Sequence, residues 1–561
     1  MDDPQPGTSA MNLSANTSTN PTPNQSDDEI EQNMRDYSSD SEEEIDSDEE
    51  EVIVNPTWCS TTAGLRDIPF TKENKFLCPI PGDKKPIDFF NLLFDEIFIE
   101  TIVRHTNKKA EQVFLDQGHT ERARISAWKP VTVDEMKTFI GLMMHTGTIK
   151  LSKINDYWKT HWLFSLPGFR GYMGRDRYLN ILRCFTFYGE ARSDAEKNDR
   201  LFKVRDLVSY FNLKMDHVYY PSKELSIDES MILWRGRLIF RQYLKGKKHK
   251  YGIKLYTLAE PEGLVLRFFV YGGRGDVTSG KGHAEKVVLE LMKGKLGVGH
   301  SIYIDNYYNS FHLASVLLSK KTYCTGTLRQ DRVDTPPEIR AAKPKKDETI
   351  ARYSDGVMIG TWKDKRKVVY ISTEFENTMA TSLNRWNQER QKPLPIVQYN
   401  AHMKGIDRAD QLQAYYPCER KTVRWYMKVF EHTLGLIMSN AMQLHNIYHT
   451  DDKMNLYDFR LSVLEQILPR PPRPGRTLPQ AGRHTIEMTN ARGNDGRLKR
   501  KRCRVCHCEK RSKLTHTFVS SVQTNLACAQ QVVLTFTTLN NKVKTMGGGG
   551  VVYMYIVCIK Q

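Results

Sequence analysis

Apolar residues recur at intervals of three and four over most of residues 76–220, which is the spacing of one face of an α-helix. Thr132 and Glu135 have the spacing of a helix cap at the start of one such stretch. We therefore predict a mainly helical domain over residues 56–220. Its predicted helices cover Ile87–Arg104, Thr132–Thr146, Asp176–Phe187 and Val204–Tyr219.

After Pro221 the pattern changes to short runs rich in β-branched and aromatic residues, separated by Gly, Lys and Pro-Glu-Gly turns. Two helical stretches then alternate with one apolar strand, so the sequence predicts an α/β fold, a mixed sheet with helices packed on it. The predicted strands are Leu225–Leu233, Leu238–Tyr243, Tyr251–Leu258, Leu264–Tyr271 and Ser301–Ile304, and the helices are His283–Lys293 and Ser310–Lys320.

Residues 326–394 interrupt this pattern with a charged, Pro-containing stretch, and we interpret them as an insertion. The insertion includes a small predicted β unit, Val357–Trp362 and Val368–Thr373. The later segments are the helices Lys404–Tyr416 and Trp425–Tyr448, a basic linker rich in Pro and Gly over 468–502, and a Cys-containing tail over 503–561.

Charge is unevenly distributed along the 561 residues, which carry a formal net charge of +16. Residues 1–55 hold 16 acidic residues and only Arg35 as a base, and we predict that they form a disordered acidic leader. The rest of the chain holds 81 basic and 50 acidic residues, a net charge of about +31. A polyanionic partner, nucleic acid before membrane, is the first hypothesis for this part, and a solvated basic surface is the alternative.

No stretch of the sequence is apolar over the 18 or so residues that a membrane-spanning helix needs, and the longest apolar run is Val551–Ile559. The first thirty residues are polar and acidic, so we predict no secretory signal. The ten cysteines are therefore expected to be reduced thiols, for which metal binding is of more interest than pairing.

Aspartates mark two apolar runs and one predicted helix. Asp228 follows Leu225-Ser-Ile, and Asp305 follows Ile302-Tyr-Ile. Asp407 and Asp410 are spaced three apart, so they share one helix face. Carboxylates that converge on a sheet edge repel each other unless hard cations neutralise them, and two Mg²⁺ or Mn²⁺ ions can drive phosphodiester chemistry there. The alternative for each single aspartate is a helix cap or a surface residue.

Two other motifs indicate different kinds of site. The run from Gly275 to Lys281 fits the Gly-x-x-x-x-Gly-Lys pattern of a phosphate-binding P-loop, which would make the protein a nucleotide hydrolase. Gly282 follows the lysine, however, where a hydroxyl ligand for Mg²⁺ belongs. Near the C-terminus Cys503, Cys506 and Cys508 form half of a zinc site, and no second Cys-x-x-Cys pair follows them. Bound zinc is therefore not expected.

In order and spacing, these motifs resemble those of the piggyBac family of DNA transposases, from about residue 56 to residue 508. The motifs that carry the resemblance are SIDESMI at 226–232, KHKYGIKLY at 248–256, YIDNYYNS at 303–310, and GIDRADQ with RKTVRW within 405–425. The resemblance implies an RNase H-like α/β core, a mixed sheet with flanking helices. The core would comprise residues 221–325 and 395–467, interrupted by the insertion and preceded by a helical domain for dimerisation and DNA binding.

By the same resemblance Asp228, Asp305 and Asp407 match the family's catalytic aspartates, which hold Mg²⁺, and Asp410 matches an additional acid beside the third. The activity implied is cut-and-paste transposition, in which double-stranded DNA at transposon ends is cleaved and the element is inserted at TTAA. A homodimer is also implied. Residues expected to contact DNA are Arg235, Arg237, Lys247, Lys248, Lys250, Lys254, Arg420, Lys421, Arg424 and Trp425, although a packing role for Trp425 is the alternative.

The C-terminal tail departs from the family, whose members usually end in a zinc domain that recognises transposon ends. A second hypothesis is therefore a domesticated derivative that binds DNA or chromatin without transposing. The basic run 497–502 predicts a nuclear location, and a phosphate-contacting linker is its alternative.

Overall fold

The computed structural model describes residues 56–469, apart from residues 63, 118–123, 165, 245–248, 275, 277, 347, 384–386 and 419, and six short segments further on: 486–488, 492–497, 501–502, 514–515, 517–519 and 526–527. The predicted acidic leader lies outside the described residues. Residues up to Pro469 form one unit of the chain and residues from Arg470 form another.

Helices dominate the part of the chain before residue 219, as the apolar spacing predicted. The single helix predicted over Ile87–Arg104 is wrong, because two helices meet at Asp95, whose carboxylate accepts a hydrogen bond from the Phe98 N–H at 2.9 Å and caps the second. The helices are α1 (Pro86–Leu93), α2 (Glu96–Gln117), α3 (Val133–Thr148), α4 (Pro167–Tyr172), α5 (Arg175–Cys184), α6 (Asp194–Asn198) and α7 (Phe202–Val218), with 3-10 turns at Arg124–Ala127, Ile154–Trp158 and Trp162–Phe164.

The cap predicted at Thr132 is confirmed. Its hydroxyl accepts a hydrogen bond from the Glu135 N–H at 3.2 Å at the start of α3. The Glu135 carboxylate does not complete a capping box, because it forms a two-pronged ion pair with Arg177 of α5, with both N–O distances 2.6 Å. This pair links the helix to its neighbour instead of to its own first turn.

The described part of the chain contains one nine-stranded mixed sheet. In it, β3 pairs antiparallel with β5 on one side and parallel with β7 on the other, and β7 pairs parallel with β8. The strands up to this point are β1 (Lys75–Phe76), β2 (Tyr219–Tyr220), β3 (Glu224–Leu233), β4 (Gln242–Tyr243), β5 (Tyr251–Ala259), β6 (Val265–Val270), β7 (Ser301–Ile304) and β8 (Tyr323–Leu328), where β1 and β2 pair only with each other.

The strand predicted over Leu238–Tyr243 is shorter than expected. Only Gln242 and Tyr243 pair with β5, because the Arg241 N–H donates to the Leu238 carbonyl at 3.2 Å and closes a turn just before them. The mixed α/β fold that the sequence predicted is otherwise present, with β3, β5, β6 and β7 close to their expected bounds.

The predicted insertion adds strands to the same sheet. Its second hairpin strand pairs antiparallel with β8, so the sheet continues through the insertion, and the predicted boundary after residue 325 falls inside β8. The strands of this part are β9 (Thr349–Ser354), β10 (Val357–Lys363) and β11 (Lys367–Ser372) in the large sheet, and β12 (Met379–Leu383) and β13 (Glu389–Pro393) as a separate antiparallel pair.

Further helices cover the two faces of the sheet. The helix predicted over Trp425–Tyr448 has those bounds, and it lies with β3, β5 and β7 in one continuous apolar core. None of the described helices is long and apolar enough to span a bilayer. The helices are α8 (His283–Leu291), α9 (Phe311–Ser319), α10 (Pro337–Ala341), α11 (Leu394–His402), α12 (Gly405–Tyr415), α13 (Trp425–Tyr448) and α14 (Leu456–Ile467).

The unit that begins at Arg470 contains short strands. The described strands pair antiparallel, β14 with β17, β17 with β18, and β15 with β16. They are β14 (Ile486–Met488), β15 (Lys501–Arg502), β16 (Leu514–Thr515), β17 (Thr517–Val519) and β18 (Leu526–Ala527).

Candidate active site

Two of the predicted aspartates stand side by side on neighbouring parallel strands. Ile227 of β3 pairs with Ile304 of β7, so the residues that follow them, Asp228 and Asp305, occupy adjacent positions. Asp305 is the first residue after β7, at the carboxyl edge where ligands of α/β sheets generally bind. Both side chains are half-buried.

Helix α12 brings the other two aspartates to the same face of the sheet. Side chains two apart on a strand share a face, so Asp228 points to the side that also holds Ser226 and Ser230. Gly405 begins α12 against Ser226, so closely that a Cβ atom there would lie 2.5 Å from the serine hydroxyl oxygen. Further along both elements, the Ser230 hydroxyl donates to the Asp410 carboxylate at 2.5 Å. Asp228 therefore faces α12 between these two contacts.

A buried tyrosine lies near three of the aspartates. Tyr399 lies on α11 and is 8% exposed. Burial raises the pKa of its phenol far above the usual range, and the negative charges of Asp305, Asp228 and Asp407 raise it further. One buried phenol therefore lies within electrostatic reach of carboxylates from β3, the end of β7, and α12.

The loop after β7 holds Asp305 by backbone hydrogen bonds. The Tyr307 N–H donates to the Asp305 carboxylate at 2.9 Å, and the Asn309 N–H donates to the Asp305 carbonyl at 3.3 Å. The Asn309 amide is fully buried and donates to the carbonyls of Ile304 and Thr327 at 3.0 and 2.8 Å. This asparagine thus ties the loop to both strands beside it.

The donor chemistry of these aspartates suits a hard cation, since Mg²⁺ and Mn²⁺ prefer carboxylate oxygens. Yet in the part of the chain that the structure describes, no three His, Cys, Asp or Glu side chains are grouped closely enough to hold a metal ion. Asp407 is exposed and Asp410 is half-buried, so the carboxylates of α12 have room to approach Asp228 and Asp305. The residue types therefore fit a hard cation.

Four of the residues predicted to contact DNA have exposed side chains. Arg235 and Arg237 lie in the turn after β3, Lys250 precedes β5, and Lys421 lies between α12 and α13. Lys247 and Lys248 fall outside the described residues. The exposed positions are the ones that a phosphate backbone could reach.

The other predicted DNA contacts point inward. Lys254 is 2% exposed in β5. The Arg420 guanidinium donates to the Tyr178 hydroxyl at 3.0 Å, and that of Arg424 donates to the Leu182 carbonyl at 2.7 Å near the end of α5. Trp425 is half-buried, with its ring edge-on to Phe240 at 5.1 Å between centroids. Trp425 thus makes the packing contact that was its alternative role.

Sequence reasoning missed several residues that surround the aspartates. Tyr399 lies on a helix that no motif marked, whereas Glu229 and Asn309 lie inside the SIDESMI and YIDNYYNS motifs and could have been found there. Two arginines from the loop after β8 also reach the Asp305 loop: Arg329 lies over the Tyr307 ring at 5.9 Å, and Arg332 donates to the Tyr307 carbonyl at 2.8 Å.

The competing motifs gain no support from the fold. The Gly-x-x-x-x-Gly-Lys run follows β6, which pairs antiparallel with β5, so it does not lie at the carboxyl edge of a parallel strand. Gly282, the cap residue before α8, has a left-handed backbone at φ of 68°, and Gly275 falls outside the described residues. Cys503, Cys506 and Cys508 also fall outside them, so the zinc prediction stays a prediction.

Comparisons with known proteins agree on one family. A family model described as Transposase IS4 matches residues 85–442. The human PiggyBac transposable element-derived protein 3 is 26% identical over 460 residues, which cover 76% of this chain and 74% of that protein. The human PiggyBac transposable element-derived protein 2 is 25% identical over 396 residues, covering 67% of this chain and 64% of that protein.

A solved structure has the same fold. The cryo-EM structure of a piggyBac transposase synaptic complex with hairpin DNA matches with a TM-score of 0.64 at 22% sequence identity, covering 82% of this chain and 99% of the matched chain. The predicted fold class, an RNase H-like mixed sheet with flanking helices, is thereby confirmed.

Proposed function

The chain belongs to the piggyBac-type Transposase IS4 family, and from this premise we propose that it is a DNA transposase that cleaves and joins strands with Asp228, Asp305 and Asp407. The observation that carries the proposal is the placement of Asp228 and Asp305 side by side on parallel strands, with α12, which carries Asp407, packed against the face of β3 that holds Asp228. Asp410, held by Ser230, would be the accessory acid.

Divalent cations, when bound, would activate water or a DNA 3′-hydroxyl and stabilise the leaving oxygen of a phosphodiester. The protein's part is to hold the ligands. Asp228 and Asp305 would supply oxygens from a rigid sheet, and the Tyr307 N–H fixes the orientation of the Asp305 carboxylate. Asp407, exposed on the first turn of α12, would complete the set, so the proposal includes two Mg²⁺ or Mn²⁺ ions.

Double-stranded DNA is the proposed partner, bound at transposon ends and at a TTAA target. Its support is the net charge of about +31 outside the leader and the exposed Arg235, Arg237, Lys250 and Lys421. The matched transposase structure is a synaptic complex with hairpin DNA, and by analogy we propose a homodimer. A nuclear location, from the basic run 497–502, completes the proposal.

The test is strand nicking of a duplex that carries the terminal repeats bordering the gene's own element, with Mg²⁺ or Mn²⁺. Wild-type protein is expected to nick only when a cation is present. Asp228→Asn and Asp305→Asn are expected to lose most of the activity, because each removes a charge from the ligand set. Asp364→Asn, on the exposed turn between β10 and β11, is the matched control and is expected to behave as wild type.

DNA affinity, measured by fluorescence anisotropy, separates loss of chemistry from loss of binding. The two active-site variants are expected to bind the duplex as well as wild type does. Nicking that is independent of a cation, or unchanged in both variants, would refute the proposal.

A second candidate is a domesticated derivative that binds DNA or chromatin without transposing. Two human relatives are named transposable element-derived proteins, and no second Cys-x-x-Cys pair follows Cys503 and Cys506 in the sequence. Wild-type protein that binds the duplex but does not nick it with either cation would establish this candidate over the first.

A further inference from the structure

Lys254 was predicted as a phosphate contact, but its surroundings point elsewhere. The side chain is 3% exposed, so its ammonium group is not at the surface that DNA would touch. It pairs with Glu229 of β3, with 3.6 Å between Nζ and Oε1, and Glu229 is itself 8% exposed. An ion pair this deeply buried costs solvation free energy, and its charges are not available for a surface contact.

Two tyrosine rings enclose the same ammonium. Its nitrogen lies 4.8 Å from the ring centroid of Tyr256 and 4.8 Å from that of Tyr307, within the range of cation–π attraction. Tyr256 belongs to β5, but Tyr307 belongs to the loop after β7. Lys254 therefore connects the central antiparallel strands to the loop that carries Asp305.

Tyr307 also contacts Asp305. Its backbone N–H donates to the Asp305 carboxylate at 2.9 Å. On its other side Glu229 follows Asp228 directly in β3 and accepts a hydrogen bond from the Tyr308 hydroxyl at 2.6 Å. The Asp305 loop is thus linked to β5 through Tyr307 and to β3 through Tyr308.

We propose that Lys254 is a positioning residue that sets the separation of Asp228 and Asp305 through Glu229 and Tyr307, and that it does not bind DNA phosphates. The inference rests on the proposed function, because it assigns these aspartates to a cation site. Removal of a group that orients metal ligands typically weakens metal affinity or activity about 10–100-fold.

The experiment measures Mn²⁺ affinity of the full chain by electron paramagnetic resonance, without DNA, and DNA affinity against salt by anisotropy. The main variant is Lys254→Met combined with Glu229→Gln, which removes both charges of the buried pair together. We expect its Mn²⁺ dissociation constant to rise at least about tenfold. We expect its DNA affinity and salt slope to match those of wild type.

Lys250→Met is the matched control, since Lys250 is an exposed lysine four residues earlier. It is expected to reduce the salt slope by about one and to leave the Mn²⁺ affinity unchanged. Tyr307→Leu breaks the same link from the loop side without removing a buried charge, and it covers the case in which the double variant does not fold. It is expected to weaken Mn²⁺ binding in the same direction.

A double variant with wild-type Mn²⁺ affinity, or one whose salt slope falls as in Lys250→Met, would overturn the inference, as would a folded Tyr307→Leu with wild-type affinity. Wild-type protein that binds no Mn²⁺ would overturn it too. Wild-type protein that binds Mn²⁺ but does not nick DNA would refute the proposed transposase activity alone, because the affinities still test Lys254.

Discussion

Asn309 offers the most direct test of how the Asp305 loop is held. Its side chain is fully buried, and three hydrogen bonds engage it: the amide N–H groups donate to the Ile304 and Thr327 carbonyls, and the carbonyl oxygen accepts from the Cys324 thiol at 3.1 Å. Asn309→Ala removes all three at once. The perturbation is local, because the Asn309 backbone N–H still donates to Asp305.

The cost can be worked from these contacts. Asn309→Ala leaves the Ile304 and Thr327 carbonyls without this donor, and each buried acceptor left unsatisfied costs about 1–3 kcal/mol. The free energy of unfolding should therefore fall by about 2–6 kcal/mol. Asn309→Asp is expected to cost at least as much, since an ionised carboxylate of the same shape can only accept and would face two carbonyl oxygens.

Urea unfolding of the full chain, followed by tryptophan fluorescence, measures this loss as a shift of the midpoint at constant slope. Asn306→Ala is the matched control, because Asn306 is an exposed asparagine in the same loop, and it should change the free energy by less than about 0.5 kcal/mol. A loss below about 1 kcal/mol for Asn309→Ala, or an equal loss for Asn306→Ala, would refute the reasoning.

Two further predictions concern stability. Burial lowers the pKa of His300 from its usual 6.5 to about 4, so its neutral form is favoured in the folded state. The resulting stabilisation is complete above pH 6.5 and falls by about 2 kcal/mol at pH 5, as the unfolded state takes up a proton. The urea midpoint of His300→Asn should lack this pH dependence, and equal pH dependence in both proteins would contradict the prediction. Gly405→Ala would place a Cβ 2.4 Å from the Glu260 carbonyl oxygen, so thermal unfolding should show a free energy of unfolding lower by about 1–3 kcal/mol. Gly174→Ala, whose Cβ would have nothing within 4 Å, is the control and should be neutral, and equal effects of the two changes would contradict the close packing of α12.

The parts of the fold that the sequence predicted best are those with a strong local pattern and clear ends. β7 and α13 have the predicted bounds, because a short apolar run and a long apolar periodicity leave few alternatives. The sequence placed Asp228 and Asp305 at the ends of apolar strands, but the parallel pairing of β3 with β7 that makes them neighbours was not predicted. The break at Asp95 was missed, because a capping aspartate inside an amphipathic stretch looks like an ordinary surface position.

The burial of Lys254 was missed for a different physical reason. Alternation along a strand separates buried from exposed positions only when one face meets water, and every residue of β5 after Tyr251 is buried. In such a strand a lysine has no exposed side to occupy, so its charge needs a partner from a neighbouring strand, and Glu229 provides it. That pairing depends on the register of β3 and β5, in which Met231 lies opposite Lys254 and Glu229 opposite Tyr256, and no local pattern encodes it.

The same distinction changes which basic residues can account for DNA binding. Arg420 and Arg424 hold a tyrosine and the carbonyls near the end of α5, so substituting either one would disturb the packing of α13 on the helical part before it changed any phosphate contact. Arg329 and Arg332 were not marked by any motif, yet they lie on Tyr307, two residues from Asp305. Net charge indicates a polyanionic partner. Only the tertiary contacts show which basic side chains hold the fold together, and which lie beside the carboxylates that would act on that partner.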